Sequence, residues 1–340
     1  MDIYQLGEFG LIDEIKKNFP CKNDSSLIGI GDDAGVINFR GKDTVVSSDM
    51  LIEGVHFDLT YFPIKHLGYK SVIVNLSDIY SMNAIPSQII LNIAVSSKFR
   101  SDAILEFYEG VKIACDEYNI DLLGGDTSSS ISGMTISCTA LGSIEEKKIV
   151  RRNGAKANDV ICVSGDLGRS YVGLRILQRE KSNFIKDPKN QPNLEKYKNI
   201  IEKQLRPKAR GDIIDHFLKN DVIPNSMIDI SDGLSSDLMH LSDSSNLGFK
   251  IFEEKLPILN DVMTAAKELE IDYLSSVLNG GEEYELLFSL SPEDFKKIEN
   301  ESLTPIGFFT NNSKKIIVSN DGSEDELKSF GWKHFSESPL

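Results

Sequence analysis

The chain has 340 residues, 40% apolar and 26% charged, the composition of a globular protein long enough for two cores. Its net charge of −15 argues against bare nucleic acid or an anionic membrane as partner, and makes phosphate binding depend on cations set between carboxylate and phosphate. No apolar run approaches the ~20 residues of a membrane span, Met1-Asp2-Ile3-Tyr4-Gln5 lacks a secretory pattern, and Cys21, Cys115, Cys138 and Cys162 form no CxxC pair, so a cytoplasmic protein with free thiols is expected.

In chain order, Leu11, Ile12, Ile15 and Phe19 fall at helical spacing within 7–19. Residues 44–48 predict a strand ending at Asp49. Residues 65–83 predict a helix with apolar Val72, Ile73, Leu76, Ile79 and Met82, closed by Pro86; Asn75 and Asp78 share one of its faces. Strand Gln88–Val95, a helix near 102–118, strand Ile120–Leu123 and strand Met134–Gly142 follow. A basic turn at 150–154 marks the expected domain boundary. Beyond it come strand Val160–Ser164, a polar stretch 181–194 with Pro188 and Pro192 that reads as a mobile loop, strand Met227–Ile230, a helix through about Ser245, and strand Tyr284–Leu290. Alternating strands and helices in both halves predict an α/β or mixed α+β fold with domains over 1–148 and 149–340.

The chemistry concentrates in short acidic loops: Gly-Ile-Gly-Asp-Asp (29–33), Ser-Ser-Asp (47–49), Asn-Leu-Ser-Asp (75–78), Gly-Gly-Asp-Thr (124–127) and Asp-Ile-Ser-Asp-Gly (229–233). Asp is short and Gly permits close backbone approach, so such turns suit hard cations. Taken alone, Asp32-Asp33 fits a solvated turn and Asp78 an exposed helical residue. Asp126 and Asp232 follow strands directly, where ligands of α/β sheets gather, although Ser231 or Asp232 could instead cap a helix. Asp229 alternates with Ile228 and Ile230, facing a site or solvent. Together the set favours a polynuclear metal site. There is no Walker-A loop, the glycines of 29–35 are misspaced for a dinucleotide fingerprint, and no G-x-S-x-G or EF-hand loop occurs. His56 reads as a phosphate or ring contact or a packed residue, Arg152 as a phosphate partner or a surface charge, and Glu282 as a partner for a cationic group or a turn residue.

On these residues the chain resembles the thiamine-monophosphate kinase family, within the aminoimidazole ribonucleotide synthetase-like superfamily. The resemblance runs from Gly7-Glu8-Phe9 to His334-Phe335; Gly-Gly-Glu-Glu-Tyr-Glu-Leu (280–286) and Gly-Trp-Lys-His-Phe (331–335) are its more specific signals. It implies two α/β domains, a homodimer built through the first, and Mg²⁺-dependent transfer of phosphate from ATP to thiamine monophosphate, giving thiamine diphosphate. It further implies several Mg²⁺ ions on Asp33, Asp49, Asp78, Asp126, Asp229 and Asp232, with Ser47 and Ser48 adding oxygens. Gly125, Asp126, Arg152 and Ser231 match nucleotide positions, and His56 and Glu282 substrate positions; Phe330 or Trp332 would stack on the thiamine ring. Two departures stand out: Glu283, where the family commonly has Asp, and Thr127-Ser128-Ser129-Ser130. The rivals are another ATP-dependent member of the superfamily and, in a different class, a non-catalytic acidic Ca²⁺-binding module.

Overall fold

The computed structural model describes residues 26–28, 32, 33, 35–39, 41–189, 191–300, 302–328 and 331. The expected helix at 7–19, Cys21, Gly29–Gly31, Phe330 and Trp332 lie outside the described residues.

The chain forms two mixed sheets with helices between and around them. The first holds β1 (Ser26–Ile28), β2 (Gly35–Phe39), β3 (Lys42–Ile52), β4 (Ile85–Ser96), β5 (Asp121–Gly124), β6 (Thr127–Ser130) and β7 (Met134–Glu145). Its order is β1-β2-β3-β7-β4-β5, with β6 also on β4; β4 pairs parallel with β5 and β6, and the other ladders are antiparallel. Strand β3 runs past the expected end at Asp49 because its alternation continues. Val45, Ser47 and Leu51 are buried, while Ser48, Met50 and Ile52 face outward.

Helix α1 (Ile64–Ser81) is buried along most of its length, between the first sheet, helix α2 (Ser101–Tyr118) and the second sheet. Two glycines let α1 and α2 touch backbone to backbone: a Cβ on Gly68 would lie 2.0 Å from the Phe107 carbonyl oxygen, and one on Gly110 1.8 Å from that of Lys65. Pro86 does not close α1. The helix stops at Ser81, Asn83 turns left-handed (φ 62°), and Pro86 sits inside β4.

The second sheet has the order β14-β13-β10-β12-β8-β11-β9. Its strands are β8 (Val160–Ser164), β9 (Ser226–Asp229), β10 (Gly248–Phe252), β11 (Leu286–Leu290), β12 (Leu303–Thr310), β13 (Lys315–Val318) and β14 (Glu324–Glu326). Around it lie α3 (Arg169–Lys186), α4 (Lys198–Leu205), α5 (Gly211–Lys219), α6 (Leu234–Ser245), α7 (Asn260–Glu268), α8 (Tyr273–Asn279) and α9 (Pro292–Ile298). The expected loop at 181–194 is helical to Lys186, since no breaker precedes Pro188, and Lys181 is tied to Asp58 across it.

One apolar core runs from the first sheet (Ile89, Ile136) through α1 (Val72, Leu76) to Phe217, Met227 and Phe288 on the second sheet's side. The two sheets are therefore held face to face across α1, and the acidic residues meet at that junction. Among the described residues, no helix is long and apolar enough to cross a membrane.

Candidate active site

Helix α1 carries the centre of the site. Asp78 projects from it toward β3, where the Ser47 hydroxyl donates to Asp78 Oδ2. One turn earlier, Asn75 Oδ1 accepts the Asp49 backbone N–H at 3.0 Å. From the second sheet, Asp229 at the end of β9 is 2% exposed and accepts the Ser77 hydroxyl at 2.6 Å. Asp33, just before β2, completes the cluster: oxygens of Asp33, Asp78 and Asp229 all lie within 4.8 Å of one another.

Such crowding is costly for carboxylates without a cation. Burial raises the Asp78 carboxyl well above its ordinary range, and Asp49, Asp229 and Asp33 push it further up. Asp229 is pushed up to about 7, by burial first and Asp33 next, with Ser77 pulling the other way. Asp49 is raised by burial, opposed by its hydrogen bond with Asp78. Asp32 is pushed up to about 6, again chiefly by burial and then by Asp33. Asp33 Oδ2 and Asp49 Oδ2 are buried without a hydrogen-bond partner. The converging carboxylates of Asp33, Asp78 and Asp229, with an unpaired oxygen on Asp33, fit a divalent cation such as Mg²⁺.

Arg152 is the cation present at this centre. Its guanidinium pairs with Asp33 and stands 3.6 Å from Asp32, while its buried Nε has no hydrogen-bond partner. Those carboxylates outweigh the effect of burial and hold Arg152 firmly charged.

The other expected residues are distributed as follows. Asp232 precedes α6 and its backbone N–H donates to Asp237 Oδ2 at 3.3 Å; Gly233, not Ser231 or Asp232, holds the capping position. The Ser231 carbonyl accepts the Glu282 N–H at 2.8 Å, and a Cβ on Gly281 would lie 2.2 Å from that carbonyl oxygen, which explains a glycine there. Gly125 and Asp126 sit at the exposed joint of β5 and β6, and Asp126 is not part of the three-carboxylate group. Ser48 points to the opposite sheet face from Ser47, its hydroxyl bonded to the Cys138 carbonyl (3.2 Å) and Thr139 Oγ1 (2.8 Å), so the structure does not bring its side chain to the cluster. His56 Nδ1 accepts the Ile52 N–H at 3.0 Å, which leaves the ring's other nitrogen as the donor of a neutral imidazole.

Sequence reasoning did not single out Ser77, Gln204 or Tyr284, and left open whether Lys70 touches phosphate. Lys70 and Ser77 are seven apart, hence on one face of α1, and both reach the second half of the chain, at Glu282 and Asp229. The buried Tyr284 phenol is pushed up by burial and then by the charges of Glu282, Asp49, Asp229 and Asp78.

Two facing mixed sheets with acidic loops at their junction define a class: residues 31–144 match the family model of the AIR synthase related protein, N-terminal domain. Over the full length, the chain is 34% identical to thiamine-monophosphate kinase of Aquifex aeolicus, covering 98% of this chain and 100% of that one. It is 32% identical to the Bacillus subtilis enzyme of that name, covering 97% and 100%. The solved structure of AaThiL complexed with AMPPCP and TMP superposes with a TM-score of 0.84 at 32% identity, covering 98% of this chain and 99% of that one. The chain belongs to the thiamine-monophosphate kinase family and is an enzyme, a phosphotransferase.

Proposed function

We propose that the chain transfers the terminal phosphoryl group of ATP directly to thiamine monophosphate, giving thiamine diphosphate and ADP, as the Mg²⁺-dependent last step of thiamine diphosphate synthesis in the cytoplasm. The observation that carries this reading is the convergence of Asp33, Asp78 and Asp229 within 4.8 Å, in a chain that aligns over its length with a relative solved with AMPPCP and TMP.

Asp33, Asp78 and Asp229, with Asp49, are the residues to hold Mg²⁺; Asp126 and Asp232 are proposed as further ligands, with Ser47 and the Ser48 backbone as oxygen donors. Bound there, Mg²⁺ supplies neutralisation of charge between the two phosphates. Ser47, Asn75 and Ser77 orient the carboxylates by the hydrogen bonds described above. Arg152, through its guanidinium, and the Gly125 and Ser231 loops contact the nucleotide. The nucleophile is a phosphate oxygen of thiamine monophosphate, largely ionised near neutral pH because a phosphomonoester's second pKa is about 6. No side chain need therefore remove a proton, and the protein's work is positioning. His56, Glu282 and an aromatic, Phe330 or Trp332, meet the substrate's organic part.

The proposed division into domains over 1–148 and 149–340 draws its support from the spans of the two sheets, 26–145 and 160–326. Met50 at 54% exposure, with Ile52, Ile90 and Leu122, offers an apolar outer face on the first sheet for homodimerisation; light scattering at the monomer mass would overturn that assembly. The transfer is tested with γ-labelled ATP and thiamine monophosphate. Label in thiamine diphosphate with none bound to protein supports direct transfer, whereas trapping a labelled aspartyl-phosphate rules it out.

A further inference from the structure

The turn from α8 into β11 is strained at two residues. Glu282 (φ 62°) and Tyr284 (φ 53°) both take left-handed backbone, a conformation that costs a non-glycine residue free energy and concentrates at functional turns. The result is that three nearby carboxylates leave in three directions. Glu283 turns inward and accepts the Gly168 and Ser170 N–H groups at the start of α3, at 2.8 and 3.1 Å. Glu285 accepts the Ser164 hydroxyl at 2.6 Å and pairs with Lys203 and Arg210. Glu282 reaches across to α1, where Oε1 meets Lys70 Nζ at 2.8 Å and Oε2 accepts Gln204 Nε2 at 2.7 Å.

Lys70 is an unusual partner. It is 2% exposed, its Nζ lies 5.4 Å from the centre of the Phe62 ring, and it also donates to the Gln204 carbonyl at 3.2 Å. The Gln204 side chain is itself fixed, accepting the Ser170 hydroxyl at 2.5 Å. Both Glu282 oxygens are thus anchored by buried groups, while the side chain stays 26% exposed. The Lys70–Glu282 pair has no net charge, so it exerts little pull on a ring cation that carries no N–H. A carboxylate has about four acceptor directions, however, and two remain for a donor.

We infer that Lys70 is a positioning residue that neutralises and aims Glu282, and that Glu282 recognises its substrate by accepting a hydrogen bond from the aminopyrimidine amine rather than by attracting the thiazolium charge. The inference rests on the reading that Glu282 meets thiamine monophosphate. Its test uses four full-length enzymes: wild type, Lys70→Met, Glu282→Gln and the double variant. Each is assayed with thiamine monophosphate and with oxythiamine monophosphate, whose pyrimidine has an oxo group in place of the amine. Wild type should prefer the amine about tenfold to a hundredfold in kcat/KM, the worth of one hydrogen bond to a charged group. Both single variants should lose most of that preference through KM for the thiamine substrate, with KM for ATP unchanged, and the double variant should be no worse than Glu282→Gln. Retained preference in folded Lys70→Met, additive losses in the double variant, or no preference in wild type would overturn the inference. If Lys70→Met does not fold, Gln204→Leu takes its place with the same expectations. An unchanged KM for thiamine monophosphate in Glu282→Gln would instead remove the reading beneath it.

Discussion

Asp78→Asn should lower turnover while raising the stability of the metal-free protein. Two unit charges 4.8 Å apart repel by about 3.5 kcal/mol at an effective dielectric of about 20, and Asp78 faces both Asp33 and Asp229 within that distance. Burial and the neighbouring carboxylates raise its carboxyl, so proton uptake relieves part of this repulsion, and about 1–2 kcal/mol is left for the amide to recover. The Ser47 hydroxyl keeps its acceptor, because the amide oxygen of the substituted side chain can take the place of the carboxylate oxygen. At roughly 2–4 °C per kcal/mol, the Tm in EDTA should rise by about 2–8 °C. Turnover should fall at least about a hundredfold, because a ligand aimed at transition-state charge is lost. Thermal melts with and without Mg²⁺, beside initial rates, read both effects. Wild-type turnover, or a lower Tm in EDTA with an undiminished Mg²⁺ shift, would refute the metal-ligand reasoning.

Arg152→Met strips the compensating charge from Asp33 and Asp32, so the Tm in EDTA should drop by about 5 °C or more and Mg²⁺ should restore part of it. Melts across pH test the titrating groups together: Asp32 (about 6), Asp229 (about 7) and Glu283 (about 7, raised chiefly by burial) all lie above their unfolded values. Their contribution is therefore complete below about pH 4 and lost as pH rises through 6–7. The metal-free Tm should fall between about pH 4 and 7, and Glu283→Gln should flatten part of that slope. Gly110→Ala places a Cβ 1.8 Å from the Lys65 carbonyl oxygen and should cost about 3 kcal/mol or more, read as a lower urea midpoint with no change in the m-value.

Much of the site is legible in the sequence because its chemistry is local. Asp33, Asp49, Asp78 and Asp229 each follow a turn or lie on a strongly patterned element, and strand Val160–Ser164 and the helix ending at Ser245 fall where their apolar spacing puts them. What escapes is whatever depends on the approach of distant segments. Nothing near Lys70 announces that it meets Glu282, and Gln204 lies on an eight-residue helix too short to show a period. The left-handed turn at Glu282 and Tyr284 delays β11 to Leu286, two residues beyond the start that its β-rich pattern implies. The exposure of Ser48 follows from strict alternation along a β3 longer than expected, once the buried face is known to be that of Ser47.

The most direct measurement is conversion of thiamine monophosphate to thiamine diphosphate, with ADP quantified alongside, as free Mg²⁺ is varied for wild type and Asp229→Asn. Thiamine diphosphate should form one-for-one with ADP in wild type with saturable Mg²⁺ dependence, and Asp229→Asn should need about tenfold more Mg²⁺ or fail to turn over. Turnover independent of Mg²⁺, ADP without thiamine diphosphate, or superimposable Mg²⁺ curves for the two enzymes would contradict the assignment of the acidic junction as the phosphoryl-transfer centre.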